Sequence, residues 1–199
     1  MPITRRVVPI GLEQRAAADL EFIRETIGKA ASFTALSGTG FFIVGLGALA
    51  AGGIAQLQSD ALMRVLIWLA DAAASVAIGF ATTAHKARLA GQPLLGGPFR
   101  KFARSFAPAI VAGAILTGVL VREQAFSSLP CLWLLCYGAG LAASGSHSVR
   151  IVPAMGASFM AVGALAALAP ATWGNALLMV GFGSLHVAFG AMIARGHGG

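Results

Sequence analysis

The chain predicts an all-α, polytopic membrane protein of six transmembrane helices. Three observations predict it: apolar runs of span length, a near absence of charge within them, and basic residues gathered on one side. Hydrophobic residues fill 57% of the 199 positions and charged ones 11%, with a mean hydropathy of +0.81, where ordinary globular domains are roughly one-quarter charged. Between Arg150 and Arg195 lie 44 residues without a formal charge, and between Lys29 and Asp60 another 30. A domain this size cannot bury so much apolar surface against itself in water. The solvent is therefore lipid. With 26 glycines and many alanines, the helix backbones should approach closely in a compact bundle.

Residues 1–32 precede the first apolar run and mix five basic with four acidic side chains. Leu20, Ile23, Ile27 and Ala30 recur at helical spacing there. That pattern predicts an amphipathic helix on the inner membrane surface, docked on the span ends or entering the first span as a solvated arm. The apolar run begins only near Phe33, so no cleavable signal peptide is expected.

About 20 apolar residues cross a hydrocarbon core of about 30 Å, and that rule divides the rest into six spans. The first covers about 33–55 and the second about 61–84, joined by the short turn QLQSD. A basic loop follows with His85, Lys86, Arg88, Arg100, Lys101 and Arg104, interrupted by the breaker-rich GQPLLGGP. The third span is expected at about 105–121 and the fourth at about 129–146. The long uncharged stretch exceeds one crossing, and APATWGN divides it into spans at about 151–169 and 173–194. The six-helix domain is thus 33–195, with a short tail at 196–199.

Orientation follows from counting Lys and Arg by side, since short basic loops stay in the cytoplasm. Twelve of the 14 fall on one side, and only Arg64 and Arg122 on the other. Both termini should be cytoplasmic, and Trp68, Trp133 and Trp173 fall near the outer starts of the even spans, where indoles favour headgroups. The even spans also end in basic residues within TAHKAR, GSHSVR and MIAR, a pattern of three similar hairpins that the positive-inside rule produces on its own. The net charge of +7 is explained by orientation and anionic headgroups; no nucleic-acid partner is expected.

Few residues suggest chemistry. Asp71 is the one acidic residue well inside a span, on a face with Arg64, Trp68, Ser75 and Thr82. It reads either as a proton or cation site, or as a hydrogen-bonded carboxyl fixing helix packing with Arg64 within reach. His186 shares a face with Gly183 and Gly190, which points it at a neighbouring helix as a hydrogen-bond partner, a proton relay or a ligand. His85 and His147 stand at matching depth, as a bis-histidine haem site would require; on balance no cofactor is expected. Gly38, Gly45 and Gly52 form a flat stripe suited to a neighbouring span or a second copy. GGPFRKFAR reads as an interfacial anchor with Arg100, Lys101 and Arg104 on lipid phosphates, since it lacks the Lys-Ser or Lys-Thr of a nucleotide loop. Cys131 and Cys136, five residues apart, point away from each other on a helix, which argues against a disulfide between them. No Ser–His or paired-acid arrangement suggests a hydrolase.

The segments LEFIRET, GGPFRKF and GSLHVAFGAMIARGHGG resemble those of an uncharacterised group of small bacterial membrane proteins. That resemblance implies a bacterial inner-membrane location and no activity. The expectation is a non-enzymatic inner-membrane component that packs with itself or a partner. The alternatives are a small transporter or channel with Asp71, Ser75, Thr82 and His186 along its path, and a haem-binding electron carrier using His85 and His147.

Overall fold

The computed structural model describes residues 17, 19–23, 37–91, 93, 95–145 and 151–197. Six helices in it are long and apolar enough to cross a membrane, in agreement with the predicted number. We label them α1 (Gly38–Gln56), α2 (Ala61–Leu89), α3 (Gly97–Arg122), α4 (Leu129–Ser144) and α5 (Ile151–Leu168). The sixth candidate span, Ala171–Gly196, contains α6 (Gly174–Leu178), a π-helical segment Met179–Leu185, and α7 (His186–His197). Of the N-terminal arm, residues 19–23 are helical with Leu20, Phe22 and Ile23 exposed; most of the predicted amphipathic helix lies outside the described residues.

Local chemistry sets the ends. Ser37 begins α1, its hydroxyl accepting from the Gly40 N–H at 3.1 Å, and Asp60 of the QLQSD turn begins α2 by accepting from the Met63 N–H at 2.7 Å. α2 runs five residues past its expected end because TAHKAR is compatible with a helix, and Lys86 and Arg88 in its last turn complement the helix dipole. It stops before Gly91, whose φ of +63° suits glycine. The GGP sequence, expected to interrupt a loop, instead starts α3: Gly96 is the N-cap and proline occupies the first turn. Arg100, Lys101 and Arg104 therefore stand on a helix, exposed, while Phe102 of the same turns is buried.

The sixth span departs most from expectation, since a continuous α-helix is replaced by seven π-helical residues ahead of His186. Such segments are rare and often mark functional sites.

Packing depends on glycine. A Cβ at Gly45 would lie 2.7 Å from the Gly183 carbonyl, and one at Gly190 2.6 Å from the Phe42 amide. Gly38 meets the Ala194 and Gly190 backbone, and Gly52 meets Met179 and Trp68. The Gly38–Gly45–Gly52 stripe is thus filled by the sixth span of the same chain. A second backbone contact joins α4 to α5, where Cβ atoms at Gly138 and Gly156 would come within 2.8 Å of Gly156 O and 2.6 Å of Ala142 N. These two pairs, α1 with the sixth span and α4 with α5, join different hairpins and form the centre. α2 leans on α1, α3 leans on α4, and α2 and α3 barely touch. None of the most apolar stretch of α2 is buried within the protein, as suits a helix facing lipid.

Gly45→Leu or Gly190→Val should force α1 off the sixth span at about 1–3 kcal/mol. Gly53→Ala, where a Cβ meets nothing within 4 Å, should be tolerated. Size-exclusion recovery after graded heating in detergent checks both, and equal losses in all three variants would contradict this packing.

A candidate ligand cavity between the spans

The separation of α2 from α3 leaves a cavity of about 970 Å³ whose floor is α1, α4 and the sixth span. That volume is at the upper end for small-molecule sites. Its lining runs from Gln56, Arg64 and Asn175 at one end to Ser37, Thr83 and Phe99 at the other.

All four candidates on the polar path, Asp71, Ser75, Thr82 and His186, line this one cavity. Asp71 is half-buried and lies against α1, where a Cβ on Gly47 would sit 3.3 Å from Oδ1. No hydrogen bond or ion pair joins it to another described residue. The expected partner, Arg64, turns the other way: its guanidinium donates to the carbonyls of Gln58 at 2.9 Å and Ser59 at 3.4 Å. Asp71 lies seven residues, about two turns, farther along α2, whereas the loop carbonyls lie beside the guanidinium's own end of the helix. Thr82 donates to the Ile78 carbonyl at 2.8 Å and packs against Gly40.

His186 is 2% exposed. Its Nε2 shares a hydrogen bond of 2.8 Å with the Tyr137 hydroxyl of α4. Nδ1 has no bonded partner among the described residues, although the Phe182 and Gly181 carbonyls act on the ring. These are the carbonyls four and five residues earlier, where the π-segment departs from the α-helical ladder. Rings enclose the pair: Phe182 stacks on His186 with centroids 6.1 Å apart, and Phe159 meets it edge-on at 5.3 Å. Phe106 meets Tyr137 edge-on at 5.6 Å.

A second polar cluster closes the end near Arg64. Asn175 accepts from the Trp68 indole N–H at 3.0 Å and donates to the Gly52 carbonyl at 3.0 Å and Gln56 Oε1 at 2.8 Å. Sequence reading missed Tyr137, Asn175 and Gln56. Tyr137 is the single tyrosine of the chain, and a lone hydroxyl on an apolar span is a detectable signal, because it must find a partner in lipid. Asn175 was hidden by its place beside the turn.

The remaining candidates do not join the cavity. His85 is exposed near the end of α2, His147 lies outside the described residues, and no cluster of three metal-ligating side chains occurs among the described residues. Arg100, Lys101 and Arg104 point outward, while Phe99, Phe102 and Phe106 of the same helix line the cavity. Cys131 and Cys136 are both free. The chain matches no family model, no curated protein and no solved structure.

Tyr137→Phe should lower stability by about 1–2 kcal/mol, because it leaves a buried imidazole without a partner. Asn175→Ala, which removes three bonds at once, should cost more. Thermal midpoints in detergent order the two variants, and a Tyr137→Phe midpoint equal to wild type would show that the hydroxyl is not needed.

Proposed function

We propose that this chain is a non-enzymatic, multi-pass protein of a bacterial inner membrane that binds a small amphiphilic molecule in the cavity between its spans, as a carrier would. The observation that supports this most is that Asp71 and His186, from the second and sixth spans, border a single space of about 970 Å³. Sites for small molecules are mostly apolar with a few placed polar groups, and this lining has that character. The gap between α2 and α3 gives a ligand lateral entry from the lipid. Self-packing as the main role loses its best support, since the glycine stripe of α1 is used within the chain.

Both termini lie in the cytoplasm on this proposal, by the distribution of Lys and Arg. Arg100, Lys101 and Arg104, exposed on the first turns of α3, would meet anionic headgroups there. The resemblance of LEFIRET, GGPFRKF and the C-terminal segment to small bacterial membrane proteins supports the same location.

Trp68 and Trp133 line the cavity, whereas Trp173 is exposed. In a Trp173→Phe background, a brominated long-chain alcohol should quench the two remaining indoles saturably. Ala72→Phe, which fills the lining, should abolish the saturable part. Quenching that only rises in proportion to alcohol in the bilayer would overturn the binding function.

Topology is tested with cysteine-free protein, Cys131→Ser and Cys136→Ser, carrying one new thiol. Ser128→Cys should react with an impermeant maleimide on intact cells. Leu95→Cys should react only after permeabilisation.

A further inference from the structure

We infer that the molecule taken by this cavity is a hydrophobic organic cation, with Asp71 as its counter-ion; this rests on the binding function proposed above. Arg64, Asp71, Tyr137 and His186 are the titratable groups of the lining. Arg64 stands at one end with its charge directed to the Gln58 and Ser59 carbonyls. Tyr137 and His186 bond to one another through Nε2, and the His186 Nδ1 beside them is enclosed by the protein rather than facing the open cavity. Of the four, Asp71 makes no hydrogen bond or ion pair with any described residue, and an ionised carboxylate at span depth needs a partner. A bound cation supplies it.

The hydrogen-bonding character of the wall points the same way. Trp68 spends its N–H on Asn175 Oδ1, and Asn175 spends its own on the Gly52 carbonyl and Gln56 Oε1. Thr82 and Thr117 each give their single hydroxyl proton to their own helix, at 2.8 Å to Ile78 O and 2.7 Å to Gly113 O. A hydroxyl that has donated its proton can only accept from a ligand. These donors of Trp68, Asn175, Thr82 and Thr117 are therefore consumed internally, and the two threonines offer lone pairs.

Aromatic faces complete the pattern. Trp68 lies one turn before Asp71 on α2, and Phe99, Phe102, Phe106 and Trp133 line the opposite wall on α3 and α4. Ring faces carry negative potential and attract cations, most strongly where water is excluded. An anion placed beside Asp71 would meet a carboxylate, hydroxyl lone pairs and ring faces at once, so this part of the wall disfavours it.

The test uses the full chain in phosphatidylcholine nanodiscs and three probes of similar bulk: tetraphenylphosphonium, tetraphenylborate and triphenylmethanol. Calorimetric titrations are read against empty discs. Saturable binding is expected for the phosphonium and none above background for the borate. Asp71→Asn should weaken phosphonium binding about tenfold or more, as loss of a desolvated charge partner does, and Asp71→Glu should retain it. Equal binding of cation, anion and neutral probe, or an Asp71→Asn variant with wild-type affinity, would overturn the cation inference and leave the cavity function standing. Saturable binding of no probe would remove both. Should Asp71→Asn fail to fold, the contrast between phosphonium and borate on the wild-type protein decides alone.

Discussion

The backbone contact between α1 and the sixth span is the constraint on which the rest of the structure depends. In lipid, an apolar side chain gains nothing by moving from acyl chains to protein, so association rests on close van der Waals fit and on hydrogen bonds. Gly38 and Gly45 on one side, Gly183 and Gly190 on the other, allow that fit by removing the side chains that would hold the backbones apart. The same helix then positions α2. Gly40 receives Thr82, Gly47 faces Asp71, and Gly52 faces Trp68 and Met179. One face of α1 fixes the sixth span, and another fixes the polar stripe of α2.

The cavity follows from how little the peripheral spans bury. α2 is attached through α1, and α3 through α4, where Gly113 accommodates Trp133 and Gly140 accommodates Phe106. Neither helix has a stripe for the other. A soluble protein could not leave such a gap without exposing apolar surface to water, whereas in a bilayer the gap faces acyl chains at little cost. Large exposed side chains on both helices, among them Val76, Phe80, Val111 and Ile115, suit that setting.

At the floor, polar groups are few and tightly held. The Tyr137–His186 pair joins α4 to the sixth span inside a shell of phenylalanines. The Trp68–Asn175–Gln56 cluster ties α2, the sixth span and α1 together at one end. Hydrogen bonds that cross between helices in lipid have modest individual worth, yet they set rotation and depth, which glycine contacts alone leave loose. Asp71 stands apart from both networks, and that separation is what gives the cavity its chemical character.

Helix number, the approximate span positions and the turn at QLQSD were legible in the residues, because the length of an apolar run and the position of a charge are local properties that lipid reads directly. The presence of Asp71, Ser75, Thr82 and His186 in spans was legible for the same reason. Their convergence on one space was not, since it depends on which spans touch, and small residues permit many pairings. The π-segment before His186 was not legible either, whereas the start of α3 at GGP and the turn of Arg64 toward the QLQSD carbonyls are local features that the residues carried and the reading by apolar runs passed over. The sequence by itself determined that this chain lies in lipid as six helices; only the tertiary structure decided which faces meet, because close glycine contacts and interhelical hydrogen bonds form between residues far apart in the chain.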